Sequence, residues 1–448
     1  MLSLVVVDAR TMHRRLAHRP WVPTESESRA AAIADEAVEL GAPARVTRLS
    51  ELIDANTRIH DDECVNLNPA TNTMSPAATA ALAGGLGTRT SLGYPGAKYE
   101  MGLEAIEEIE VFAAELAAQV FGAGFVEFRV PSGAMANLMV FMATAKAGDS
   151  IIVPPATIAG HVTHHQPGAA GLYGLEIHEA PIDADRYSID VEGLAALAER
   201  VRPRLITVGS SLNLHHHDVA GIRRVADAVG AVVMFDAAHL SGPIAGGAWP
   251  NPLADGAHVM TMSTYKSLAG PTAGLVLTDD AELAERLDAI AFPGLTANFD
   301  AGKTAALAHT LNDWLVHGEA YAAQMVAAAS SLSDALAGKG VEVFRPGAVA
   351  TRSHAFAIDA RGFGGGMATA RRLHDANLLA SAVGLPSGLD DGLRVGTNEL
   401  VRWGAMADDM AELASLIARG LRDDDLSAVA ADASAYRRRF TEVSYTVT

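Results

Sequence analysis

The residues able to do chemistry are concentrated between positions 232 and 277. Ala231 to Phe235 is a short apolar run of the kind a buried parallel strand shows; it ends on Asp236, and His239 follows three residues later. A second run, His258 to Met262, leads through Ser263, Thr264 and Tyr265 to Lys266. Gly270, Pro271 and Gly274 break the chain before the strand-like Gly274 to Leu277. An acid, an imidazole and an amine therefore lie just past the carboxyl ends of apolar strands, where open α/β sheets bind ligands. A primary amine can form an imine with a carbonyl, and a buried carboxylate can hold a ring nitrogen protonated.

Pyridoxal phosphate (PLP) needs this pair, an imine to a lysine and a carboxylate on its pyridine nitrogen. Only five of the 34 Lys and Arg residues are lysines, so an amine at 266 is not a product of composition. The alternative is that Asp236 caps a turn and Lys266 is a solvated loop residue. A third segment bears on this choice. Phe125 to Val130 is strand-like and runs into Pro131, Ser132, Gly133, Ala134, Met135, Ala136 and Asn137. A small turn opening a helix offers free backbone N–H groups and a favourable dipole to a phosphate.

Other elements must position these groups. Ser150 to Pro154 reads as a strand, followed by His161, His164 and His165; Leu205 to Val208 is another, ending in Gly209, Ser210 and Ser211. Helical spacing fills Met101 to Phe121, Val191 to Val201 and Val219 to Val229. Alternating strands and helices predict an α/β fold, a parallel sheet covered on both faces. Beyond Phe292, Pro293 and Gly294, alanine-rich helices run from Lys303 to Ala337. A smaller α+β region follows, with strands at Val341 to Phe344 and Ala355 to Ile358 and a short strand, Gly392 to Thr397, that carries Arg394. A buried arginine there needs an anion: a substrate carboxylate fits its planar fork, and a structural ion pair is the alternative. A helix over Asp408 to Leu421 closes the fold. The expected division is an N-terminal arm (1–62), a large domain (63–300), a smaller α+β C-terminal domain (301–425) and a polar tail (426–448).

Composition narrows the partners. A net charge of −19 with no long basic run argues against nucleic acid and against an anionic membrane. The single Cys64 excludes an intramolecular disulfide and a Cys-rich zinc site. The first twenty residues lack the pattern of a signal peptide, and no run of about 20 apolar residues appears. A soluble, cytoplasmic protein is expected. His215, His216 and His217 would alternate faces if extended and cannot converge on one ion, so no metal is expected.

These motifs together resemble serine hydroxymethyltransferase, a PLP enzyme of the aspartate-aminotransferase-like fold, from about Val65 to Thr397. The resemblance implies PLP fold type I: a large domain with a mostly parallel seven-stranded sheet, and a smaller C-terminal domain. Ser132, Gly133 and Ala134 resemble the family's phosphate turn, and His161 in AGHVTHH its ring-stacking histidine. Ser211 matches the serine after its G-x-S strand. Asp236 and His239 match its D-x-A-H motif, in pyridine-nitrogen and phenolic-oxygen roles. Lys266, preceded by Ser263 in the cofactor-binding set, matches its Schiff-base lysine, and Arg394 its carboxylate-binding arginine. Tyr94 and Tyr99 match a loop that in the family enters the partner subunit's site, which implies a homodimer with shared active sites.

The departures are selective. Leu92 stands where the family carries a proton-moving glutamate, and Glu100 replaces the second tyrosine of the loop pair. Ala70, Thr71, Tyr265 and Thr272 replace a serine, a glutamate, a histidine and an arginine. Cofactor-holding residues remain while those for one-carbon transfer have changed. The expected reaction therefore uses no folate. It acts on an L-α-amino acid with a β-substituent, its carboxylate on Arg394, by β-elimination or decarboxylation-linked oxidative deamination. Offshoots of the family in antibiotic pathways treat cysteine S-conjugates this way. Lys266 is the expected base, with His161, Tyr99 and Glu100 assisting the leaving group or excluding water. The second expectation is a threonine-type aldolase or transaldolase, and the third folate-dependent serine–glycine exchange. Two readings from other classes are a metal-dependent hydrolase built on the histidines and a non-catalytic PLP-fold binding protein.

Overall fold

Seven strands form the central sheet of the computed structural model, which describes residues 16–447. Helix α1 (Glu104–Phe121) precedes β1 (Phe125–Val130), and α2 (Gly133–Thr144) follows it. Then come β2 (Ser150–Val153), β3 (Glu176–Glu179), α3 (Val191–Val201), β4 (Leu205–Val208), α4 (Val219–Val229), β5 (Val232–Asp236), β6 (Val259–Ser263) and β7 (Gly274–Thr278). The strand order is β1-β7-β6-β5-β4-β2-β3. Only β7 pairs antiparallel with its neighbours. Asp190 and Asp218 cap α3 and α4 by accepting backbone N–H groups, which is why those helices start where the apolar spacing does.

Strand periodicity fixes which side chains meet. In β5, Val233 and Phe235 join one apolar cluster while Met234 joins the other. In β6, Met260 and Met262 enter the first and Val259 the second. The second cluster contains Ala136, Met139, Val140 and Phe141 of α2. By the same alternation Asp236, Thr261 and Ser263 point to the α2 side. Two apolar layers thus enclose the sheet, and the polar exceptions at the ends of β5 and β6 face one helix. Gly209, just after β4, has φ +90°, and a Cβ there would lie 2.2 Å from the Asp236 carbonyl oxygen. That close approach admits only glycine.

Helix α5 (Ala301–Gly338) runs as one element from the Asp300 cap, whose carboxylate accepts from Gly302 and Lys303. Its Trp314 indole donates to the Leu268 carbonyl (2.7 Å), bracing the loop after Lys266. A three-stranded antiparallel sheet follows: β8 (Ala355–Asp359), β9 (Ser381–Leu385) and β10 (Gly388–Gly396), with β10 in the centre. The strand expected at Val341 to Phe344 is reduced to one bridge, Val343 with Ile358, in a short stretch between the turn at 339–340 and the bends at 346–350. Helix α6 (Met410–Arg422) comes next.

The polar tail expected at 426–448 instead carries α7 (Leu426–Arg437), with Val429, Ala433 and Tyr436 buried. Beyond it Tyr445 stacks on Tyr321, and Val447 donates its N–H to Asp313. The helix is mostly alanine and serine and lies between the charged runs Arg422–Asp425 and Arg437–Arg439, so a composition reading takes the segment as polar.

These elements belong to a unit beginning at Cys64, and the described residues 16–63 fall in a separate one. The latter contains two helices, Thr24–Glu39 and Ala42–Thr57, joined by Arg48–Glu36 (2.9 Å) and by Arg45 donating to the Ala37 carbonyl. The expectation that no signal peptide opens the chain concerns residues outside those described, 1–15. Among the described residues no helix is long and apolar enough to cross a membrane.

Candidate active site

Lys266 follows β6 in a turn tied by its own neighbours. Thr264 donates to the Pro271 carbonyl (2.5 Å) and accepts from Ala273 N–H, and Gly270 N–H closes on the Thr264 carbonyl. Ser267 donates to the His239 carbonyl (2.8 Å) and accepts from Gly242 N–H. The amine is only 6% exposed, with Nζ 3.3 Å from His239 Nε2. Burial lowers its pKa to about 8, against the raising field of Asp236, so a fraction of the amine is neutral near physiological pH.

Asp236 closes β5. Burial alone would raise its carboxyl, but the hydrogen bond and charge of His164, the field of His161 and the Asn137 amide hold it well below the usual carboxylate range. Its Oδ2 lies 2.9 Å from both His164 Nε2 and Asn137 Nδ2, and Oδ1 accepts from Ala238 N–H. The site therefore contains a firmly ionised acid.

Arg394 stands mid-strand on β10, opposite Ser381 of β9. Its guanidinium donates to Ser381 Oγ (3.0 and 3.2 Å) and to the Ser211 carbonyl (2.6 Å), and one nitrogen lies 3.4 Å from His239 Nε2. Burial lowers its pKa to about 10. Among the described residues no ion pair neutralises it, and it is only 8% exposed. A buried cation without a carboxylate suits an anionic ligand. His239 Nε2, facing both Lys266 and Arg394, is an acceptor in a ring that burial keeps neutral; among the described residues its Nδ1 finds no partner.

Ser132 caps α2 by accepting from Met135 N–H, leaving the first amides of the helix available. A Cβ on Gly133 would sit 2.2 Å from Ser263 Oγ, so that hydroxyl lies directly against the helix start. His161 is held by Thr163 (2.9 Å from Nδ1), and burial lowers its pKa to about 4.

The residues present fit PLP. The cradle of Ser132, Gly133, Ala134 and Ser263 suits a phosphate, Asp236 a pyridinium, Lys266 an aldehyde, and the orphaned nitrogen of His239 can serve a ring oxygen. The sequence reading overlooked Asn137, His164, Ser267 and Ser381 as supports. Asn137, at the end of the phosphate-turn segment, and His164, three residues past His161, left a trace in the sequence.

Three expected residues are not brought to this cluster by their own chain. Tyr94 and Tyr99 lie on a hairpin pairing Gly93–Tyr94 with Ala97–Lys98. The Tyr94 hydroxyl donates to Asp288 (2.6 Å), Tyr99 is 82% exposed, and Glu100 accepts from Leu92 N–H. The hairpin is anchored by Lys98, buried on Glu110 (2.6 Å), which sends the two tyrosines outward. Tyr94 lines a cleft of about 570 Å³ with Phe125, Arg129 and Asp288, separate from Lys266. The histidines of the hydrolase reading disperse: His164 turns to Asp236, His165 to the Pro154 carbonyl, His216 to Trp249 and His217 to Asn213. Among the described residues no three metal-ligating groups converge.

The family model for serine hydroxymethyltransferase matches residues 46–417. The chain belongs to the serine hydroxymethyltransferase family. It is accordingly a PLP-dependent enzyme of fold type I acting on small amino acids. Within the family its relatives differ in name. A Variovorax paradoxus protein named alpha-methylserine aldolase is 56% identical over 436 residues, covering 96% of this chain and 99% of the relative. A Ralstonia protein of the same name is 50% identical, covering 95% and 99%. A serine hydroxymethyltransferase from Pyrobaculum islandicum is 35% identical, covering 90% and 95%.

Proposed function

We propose that this enzyme cleaves α-methylserine by a folate-independent retro-aldol reaction, giving alanine and formaldehyde. The amino-acid half of this reading is carried by one observation: the buried Arg394 guanidinium and the Lys266 amine flank the same His239 nitrogen. The particular substrate is supported by the two aldolase-named relatives, matched over nearly their whole length.

PLP supplies an electron sink for the pair left on Cα when a bond there breaks. Arg394 would hold the substrate carboxylate and so fix the orientation of the bonds at Cα. Lys266, neutral in part, takes the β-hydroxyl proton and returns it to Cα. The Cα–Cβ pair stays on Cα and the oxygen lone pair forms the carbonyl of formaldehyde, so atoms and charge balance. Asp236 keeps its charge for the pyridine nitrogen, and His161 packs on the ring. Ser132, Gly133, Ala134 and Ser263 take the phosphate, while Ser211 helps fix Arg394.

A quaternary Cα carries no proton, which closes β-elimination for such a substrate; the aldolase-named relatives favour this reading over chemistry on cysteine S-conjugates. Leu92 cannot move a proton, which favours it over folate-linked transfer. The exposed Tyr99 and the half-exposed Tyr94, with Glu100, are proposed to complete the neighbouring site in a homodimer. Incubating the PLP-loaded protein with α-methylserine, without folate, should release formaldehyde and alanine in equal amounts. Turnover only on addition of tetrahydrofolate would refute the assignment.

A further inference from the structure

Behind the reacting groups lies a chain of three polar side chains that the proposed reaction leaves without a role: Thr261, Asn137 and Thr163. Asn137, on α2, is buried and has a partner for each polar atom. Its Nδ2 donates to Asp236 Oδ2 and to Thr163 Oγ1, each at 2.9 Å, and its Oδ1 accepts from Thr261 Oγ1 at 2.7 Å. Exchanging its oxygen and nitrogen would set an amide oxygen against a carboxylate, so the network determines its orientation. Asp236 and Thr261 are register partners on β5 and β6 and point to the α2 side, which places both under Asn137.

The consequence falls on His161. Thr163 Oγ1 already receives the Asn137 N–H, so its own proton is free for His161 Nδ1, 2.9 Å away. The same Nδ1 also receives the Thr163 backbone N–H at 3.3 Å. A backbone N–H can only donate, so Nδ1 is bare, and the neutral ring carries its proton on Nε2.

We infer that Asn137 is a positioning residue that couples the pyridine-nitrogen acid to the ring-stacking histidine and, through Thr163, locks His161 in the Nε2–H tautomer. His161 then presents a hydrogen-bond donor at its free edge and cannot serve there as the base. This leaves Lys266 to carry the β-hydroxyl proton, a point that rests on the aldol reading above; the tautomer and the coupling do not.

The test uses the full chain with PLP bound. Thr163→Val removes the hydroxyl, Thr163→Ser keeps it, and Asn137→Ala removes both bridging N–H groups. Ring-nitrogen NMR on histidine-labelled protein, with His161 assigned through His161→Asn, should show a protonated Nε2 and a bare Nδ1 in the wild type and in Thr163→Ser. Asn137→Ala and Thr163→Val should release PLP about tenfold more readily, the loss of one hydrogen bond to a charged network, and lower kcat more than they raise KM. A protonated Nδ1 in the wild type overturns the inference. So do Thr163→Val and Asn137→Ala proteins that only melt earlier, with PLP release and kcat unchanged. The NMR and PLP-release readouts need no substrate, so failure of the aldolase assignment would leave them intact and be recognised separately.

Discussion

Replacing Lys266 with alanine is expected to abolish turnover, lowering kcat by at least about 10²–10⁴-fold, the range a positioned acid–base group contributes. Lys266 is proposed both to hold the cofactor and to move the proton, and no other amine is placed to replace it. Lys98, the other buried lysine in this part of the chain, is committed to Glu110 at 2.6 Å. The substitution should leave the fold intact, because among the described residues the amine makes a single long hydrogen bond, 3.3 Å to His239, and burial already works against its charge. Steady-state kinetics with circular dichroism of the same preparation checks both halves. Turnover close to wild type in a folded Lys266→Ala protein would end the mechanism.

Arg394→Ala is the second substitution with a large expected effect. The guanidinium lies between Ser381, the Ser211 carbonyl and the open side of His239. Hydrogen bonds to charged groups are worth about 1.5–3 kcal/mol. Losing those to the substrate carboxylate should therefore reduce kcat/KM roughly ten- to a hundredfold, mainly through KM, at about 1.4 kcal/mol per factor of ten. Arg394→Lys should recover little. A point charge cannot reach Ser381, the Ser211 carbonyl and a carboxylate together as the planar fork does. Titrating the PLP-loaded variants with alanine, the proposed product, isolates binding from chemistry. An Arg394→Ala protein that binds alanine as well as the wild type would place the carboxylate elsewhere.

Much of this arrangement could be read from residue order. Apolar runs ending on Asp236 and Ser263 announce strands, and period-two alternation then dictates that both side chains, with Thr261, face α2. Aspartates at 190 and 218 mark where two helices begin. What stayed hidden depends on contacts between distant segments. Asn137 reads as an ordinary helix residue until β5 and β6 bring Asp236 and Thr261 beneath it. Ser381 gains meaning only from its register with Arg394. The direction taken by Tyr94 and Tyr99 follows from the buried Lys98–Glu110 pair, two residues that spacing alone does not connect. The helix at 426–437 escaped because its large apolar residues are few, Leu426, Val429 and Tyr436 among alanines and serines, and charged runs flank it, which composition reads as a solvated segment.

The most direct test of the account is to reduce the PLP-loaded protein with borohydride and map its peptides by mass spectrometry. The account predicts the pyridoxyl-phosphate mass on the peptide containing Lys266, and on no other. The same mass on Lys98, Lys146, Lys303 or Lys339, or on no peptide at all, would contradict it.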